Sequence, residues 1–290
     1  MTAQLSRINP TTDHGMPLDE RIAAAEMQIR TLPAAAEFRW ALFQLLCVTG
    51  HWERAIGQLQ VFAQLCPVQT QAVQVYRDLI RAELWRAKVI AGRERPGFVF
   101  HAPSWVEGLI EALRLSAAGQ IDAADQARYA ALDRAPLVAG QAPHFAFDWI
   151  GDSDSRFGPV CEVVTAGRYR WLPFSDLAAW KVERPATLLD LVWAPCTWTL
   201  LDGTTVCGFA PARYPGAEDV QGDSGERDAI RLGRKTVWRE SGATGVIAHG
   251  RKTWTTSAGD LSVFELAGCE FSNGASKRGS NQQGGSNEQA

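Results

Sequence analysis

LLCVTGHWERAIGQL, residues 45–59, is the stretch on which the fold turns. Apolar, helix-compatible runs flank Thr49, Gly50 and His51. A glycine there predicts a helix C-cap, because a residue without Cβ turns left-handed at little cost. Trp52 then opens a second helix, and Ala55 falls where two helices must approach closely. Leu59 and Phe62 continue its apolar face, and Pro67 ends the unit. The stretch is therefore the bend of a helical hairpin over residues 37–66.

Outward from this bend the pattern recurs. With Gly119 set equivalent to Gly50, Leu46 matches Leu115, Trp52 matches Ile121, Ala55 matches Ala124 and Pro67 matches Pro136. That predicts a second hairpin over 105–133, close to the 34-residue tetratricopeptide pattern. Between the two, Val73, Tyr76, Leu79, Ile80 and Leu84 give residues 70–92 the stripe of an amphipathic helix. The segment from Gly15 to Pro33 reads as the second helix of a truncated repeat. Stacked hairpins form an α/α superhelix whose concave face commonly grips a partner. By that geometry Glu37, Trp40, Gln44, Cys47 and Val48 line the face, although the apolar ones suit a plain core equally well.

Near residue 135 the composition changes. Short β-branched and aromatic runs follow, bounded by Gly, Pro and Asp. They predict strands at 160–165, 168–173, 197–201, 205–210, 235–240, 245–249, 252–256 and 261–267. Ala166-Gly167 and Asp202-Gly203 suit hairpin turns. Residues 174–181 read as a short helix, since Phe174, Leu177 and Ala178 would share a face. The fold class is α+β: tetratricopeptide-like helical repeats, then a mainly antiparallel β domain. The expected organisation is a flexible N-terminus (1–14), a helical domain (15–140), a β-rich domain (141–271) and a disordered polar tail (272–290).

Composition narrows the function. The 290 residues are 46% hydrophobic and 21% charged, an ordinary globular balance with room for two cores. A net charge of -3 argues against a general nucleic-acid binder. No apolar run approaches the roughly 18 residues of a membrane span. The N-terminus has no apolar stretch of signal-peptide length. The six cysteines form no CxxC pair and read as small buried hydrophobes in a reducing compartment. The expected location is the cytoplasm. Eleven tryptophans, most of them after residue 145, suit half-buried strands.

Little of the sequence reads as catalytic. The five histidines have no HExxH spacing, and no GxSxG elbow occurs. GRKT occurs at 233–236 and 250–253 but has no glycine directly before its lysine, and β-prone residues rather than a helix follow, so it fails as a phosphate loop. It reads as two glycine-started strands of one antiparallel sheet, or as a small basic patch. Asp152 and Asp154 resemble the start of a calcium loop, but the glycine and glutamate expected at its sixth and twelfth positions are missing. A loop tied by Asp-to-backbone hydrogen bonds is the better reading, with Arg156 paired to one carboxylate. No cofactor and no metal are expected.

Four stretches in order, FRWALFQLLCVTGHWERAIGQL, FDWIGDSDSRFGPVCEVVTAGRYRWLPF, LLDLVWAPCTW and GFAPARYPG, resemble the ImpE family, also called TagJ. The likeness runs from about Gly15 to Phe271. Its most specific residues are Phe147, Asp148, Trp149, Asp152, Asp154, Arg156, Arg213 and Tyr214. The resemblance implies a cytoplasmic, non-enzymatic adaptor of the bacterial type VI secretion system. Such a protein binds an N-terminal helix of the TssB-like small sheath subunit and so links the sheath, indirectly, to the ClpV ATPase. The competing reading is an enzyme built on Asp148, Asp152, Asp154 and Glu162, whose carboxylates could serve a metal or an acid/base pair.

Overall fold

The computed structural model describes residues 15–216 and 220–272. The expected flexible N-terminus, and the expected tail from residue 273 onward, lie outside the described residues.

Six helices come first: α1 (Leu18–Thr31), α2 (Ala36–Val48), α3 (Trp52–Leu65), α4 (Thr70–Ile90), α5 (Ser104–Ala117) and α6 (Ile121–Arg134). The bend that ends α2 has the geometry the glycine demands. Gly50 sits at φ +76°, and His51 N–H donates back to the Leu46 carbonyl at 2.9 Å. Gly119 repeats it at φ +73°, with Gln120 N–H on Leu115 O at 2.9 Å. Both bends thereby satisfy carbonyls left open at a helix end. Ala55 and Ala124 are both buried at their helix crossings. α2 is buried on all sides from Trp40 to Val48, which marks it as the central helix.

The strands follow Arg134, except the two-residue β1 (Gly97–Phe98) between α4 and α5. They are β2 (Gly140–Ala142), β3 (Phe145–Phe147), β4 (Ile150–Asp152), β5 (Val160–Thr165), β6 (Arg168–Pro173), β7 (Leu177–Val182), β8 (Trp193–Leu200), β9 (Thr205–Pro211), β10 (Thr236–Ser241), β11 (Gly245–Gly250), β12 (Thr253–Thr256), β13 (Gly259–Ser262) and β14 (Gly268–Phe271). A seventh helix, α7 (Ser224–Arg231), lies between β9 and β10. Nine strands form one sheet in the order β1-β6-β5-β9-β8-β7-β14-β2-β3, antiparallel except for β1 against β6. β13-β12-β4 form a second sheet, and β10 and β11 a separate ribbon.

β5 is buried at all six positions because both of its faces are covered. Val160 and Val164 join the core made with the helices, whereas Cys161 and Val163 face a second core with Phe174, Trp198 and Trp254. The first core is continuous from Leu18 in α1 to Trp193 in β8. Trp171, Trp193, Trp198 and Trp254 are fully buried rather than half-buried.

Three expectations for the β region change. Residues 174–181 are a single 3-10 turn followed by β7. A register shift between Leu177 and Ala179 puts Leu177 and Trp180 on one buried face, three residues apart, and so imitates helical spacing. The run 261–267 holds only the end of β13. It then turns, with Leu266 N–H on Ser262 O, before β14. The two GRKT segments meet at a single pair, Thr236 with Gly250 in the ribbon, rather than as two glycine-started strands; Thr253 pairs with β13 instead.

Candidate functional site

The loop after β4 is held by its own aspartates. Asp154 N–H donates to Asp152 Oδ1 at 2.9 Å, and Arg156 N–H donates to Asp154 Oδ1 at 2.9 Å. The Arg156 guanidinium returns to Asp154 through Nε at 2.9 Å and Nη2 at 2.6 Å. Asp154 Oδ2 also accepts Ala248 N–H at 2.9 Å, so the loop is sewn to β11. Such short-range bonds are what Asp side chains offer a turning backbone.

Beneath this loop lies a buried chain of charges. Arg86, from α4, grips Glu162, from β5, with two parallel bonds of 2.7 Å, Nε to Oε1 and Nη2 to Oε2. This fork-on-carboxylate geometry is the strong form of an ion pair. Lys252 Nζ stands 2.5 Å from both Glu162 Oε2 and Asp152 Oδ2, and 4.0 Å above the Phe157 ring. Tyr169 donates to Glu162 at 2.5 Å and accepts from Trp171 Nε1 at 2.7 Å. On the helical side Glu83 takes Arg86 Nη1 at 3.3 Å and Trp193 Nε1 at 3.0 Å. Tyr214 donates to Asp152 Oδ1 at 2.7 Å.

The environment splits the two acids that share Lys252. Burial pushes Asp152 up to about 6, against the pull of Lys252 and helped by Asp154. Burial also opposes ionisation of Glu162, but Arg86 and Lys252 together overcome it and hold the group down at about 2. Glu162 therefore keeps its charge because two cations face it.

Arg213 closes the structure over the opening stretch of sequence. Its guanidinium donates to the Val48 carbonyl and, at 2.8 Å, to the Cys47 carbonyl. These carbonyls end α2, where a cation is also favoured by the helix dipole; Cys47 O additionally accepts Gly50 N–H at 3.2 Å. The same guanidinium lies 5.8 Å over the Trp52 ring. Between these parts opens a cleft of about 280 Å³, lined among others by Trp52, Arg86, Arg156, Arg213, Tyr214 and His249. Burial, then Arg156 and Arg239, lowers the His249 pKa.

The residues singled out in the sequence divide accordingly. Asp152, Asp154, Arg156, Arg213 and Tyr214 converge on this junction. Phe147, Asp148 and Trp149 do not: Phe147 packs on Phe271, Asp148 N–H meets Ser257, and Trp149 is partly exposed. Of the helical face, Glu37 is exposed, whereas Trp40, Gln44, Cys47 and Val48 are buried. Trp40 packs on Phe43, Phe62 and Tyr76. Of the four carboxylates of the enzymatic reading, Asp152, Asp154 and Glu162 are buried and ion-paired. Among the described residues no group of three or more His, Cys, Asp or Glu is placed to hold a metal ion. No described helix is long and apolar enough to cross a membrane.

Arg86 and Lys252 escaped the sequence reading. For Arg86 there was a signal, since Glu83 and Arg86 interrupt an otherwise apolar face of α4 and so call for buried partners. For Lys252 there was none. It stands in a run that looks like exposed basic sequence, yet it is 1% exposed.

Comparison with known proteins agrees with this architecture. A family model described as ImpE protein matches residues 144–270. The fold is similar to the crystal structure of protein VPA1032 from Vibrio parahaemolyticus, at TM-score 0.79 and 22% identity, over 88% of this chain and 93% of that one. A curated relative, the type VI secretion system accessory component TagJ of Pseudomonas aeruginosa, is 42% identical over 255 residues. Since that alignment spans 88% of this chain and 87% of the relative, the protein belongs to the ImpE family.

Proposed function

We propose that this protein is a non-enzymatic, cytoplasmic accessory component of a type VI secretion system. In this reading it binds a helix of the TssB-like small sheath subunit and so links the sheath, indirectly, to the ClpV ATPase. The observation that carries the reading is the 42% identity, across nearly the whole chain, to a protein named as an accessory component of a type VI secretion system. The charge network supports the non-enzymatic part. An acid/base pair must exchange protons with a substrate, and Asp152 and Glu162 are closed off around Lys252.

The two matching helical hairpins favour treating residues 15–140 as a tetratricopeptide-like domain and 141–271 as its β-rich companion. A captured helix would lay its apolar stripe on the helical side. Glu37 and the exposed Met27 and Leu32 offer the accessible rim there, with Trp40, Gln44, Cys47 and Val48 as the support beneath. The test is calorimetric titration with a peptide of the small subunit's N-terminal helix, against a control with its apolar stripe made polar. Saturable heat that disappears with the control supports the adaptor. No heat with a folded sample sinks it.

A further inference from the structure

A second cleft, on the far side of α4, is of different character. It measures about 440 Å³ and lies between α4, residues 95–98 and the β5–β6 turn. Arg81, Arg95, Arg168 and Arg170 line it with Trp85 and Phe98, and no acidic residue does. Arg81 and Arg95 are each paired at the rim, with Asp78 at 2.8 Å and Glu107 at 2.6 Å. Among the described residues Arg168 and Arg170 form no ion pair. In a chain of net charge -3 this is a local positive excess.

The walls of the cleft are also tied to one another. β1 pairs with β6 through Gly97↔Arg170 and Phe98↔Trp171, which holds the 95–98 segment on the sheet edge. Arg170 Nη1 donates to Phe98 O at 3.0 Å, and Trp85 Nε1 donates to Arg95 O at 3.1 Å. Trp85 is thereby anchored while the residue stays 38% exposed. Side chains fixed in advance lose less entropy when a partner binds. Beyond Gly167 a neighbouring cleft of about 300 Å³ continues along α4, with Val75, Leu79 and Phe209 in its lining and one acid, Asp78, which is paired with Arg81.

We propose that this groove receives an acidic segment of a protein partner. Two of its carboxylates would pair with Arg168 and Arg170, an apolar side chain would cover Trp85, and another would enter the neighbouring apolar cleft. Arginine beside half-exposed tryptophan is the composition of an interface hot spot. A small phosphate ligand fits less well, since the lining contains no helix N-terminus to supply backbone N–H donors. The surface is distinct from the helical rim assigned above, so each reading stands or falls separately.

The experiment is selection from a phage-displayed library of random 12-residue peptides on the full chain. The Arg168→Glu/Arg170→Glu variant serves for counter-selection. Arg81→Glu/Arg168→Glu, on two exposed side chains, is the check against misfolding. The expected winners carry paired acids beside an apolar or aromatic residue. Their synthetic versions should bind saturably and weaken about 10-fold or more with either variant, and also as salt is raised. Winners without acids, no enrichment over the counter-selecting variant, or displacement by inorganic phosphate but not by chloride would each overturn the proposal.

Discussion

The α2–α3 hairpin and the charge network lie against the same core, but they draw on the chain over different distances. The bend at Gly50 is closed by His51 reaching back to Leu46. The network joins residues 76, 90 and 166 positions apart, in Arg86 with Glu162, Lys252 with Glu162 and Arg213 with Cys47. The hairpin rests on apolar burial and one permissive residue, so its parts contribute piecemeal. The network rests on compensation, where each charge is tolerable only because the others are present. A region of the first kind should degrade gradually, and one of the second kind should fail as a unit.

The largest expected effect comes from breaking the network at one point. Arg86→Ala or Lys252→Ala leaves buried carboxylates uncompensated and should cost about 3–5 kcal/mol in denaturant unfolding. Removing a second member should add much less: Arg86→Ala with Glu162→Gln should fall well short of the sum of the singles. Strict additivity there would show that the charges are not coupled.

The hairpin should respond on a smaller scale. Ala55 is fully buried at a helix crossing, so Ala55→Trp should overpack it and cost ~1–3 kcal/mol. That cost should add to the cost of Arg86→Ala, since apolar packing and ion pairing fail independently. Next come Gly50→Val and Gly119→Val. Each forces a β-branched residue to φ above +70° and should cost ~1–2 kcal/mol. Melting temperatures equal to that of the wild type for both would remove the equivalence of the two bends.

The last test is the pH profile, which divides the network from within. Glu162 is held at about 2, below its ordinary 4.5. Its contribution to stability is complete above pH 4.5 and is lost as the pH falls from there toward 2. Asp152 is raised from 3.8 to about 6, so the folded protein takes up its proton first. Its contribution has the opposite sign: stability increases as the pH falls from 6 to 3.8. Urea midpoints should therefore hold or rise slightly from pH 7 to 5 and then drop below 4.5. Asp152→Asn should remove the rise, and Glu162→Gln should blunt the drop. A steady decline beginning at pH 6 in the wild type would reverse the assignment of the two acids.

Where the sequence could be read, it was because the signal lay within a few residues. Gly50 and Gly119 marked their bends, and β5 and β6 appear with the expected bounds. Ala166-Gly167 and Asp202-Gly203 fall between β5 and β6 and between β8 and β9 as expected, although Ala166 takes φ +47°, which its Cβ disfavours. Signals failed where something distant altered the local rule. The register shift in β7 disguised a strand as a helix, and β1 to β4 are too short to show a period. In the loop after β4 the internal bonds of Asp152, Asp154 and Arg156 were legible. The use of Asp152 against Lys252 and Tyr214 was not.

The sequence by itself determined the helix bends, most of the strands, the turn chemistry of the aspartate loop and, by resemblance, the family. Only the tertiary structure decided that Trp40 and Val48 are core, that Lys252 is a buried hub and that Arg213 caps α2. It also decided that four arginines gather around one open cleft. The reason is physical. Backbone conformation answers to a residue and its near neighbours, whereas the fate of a charge depends on what reaches it from the rest of the chain. Lys252 in GRKT reads as solvent-facing until Asp152 and Glu162 arrive from β4 and β5 to surround it.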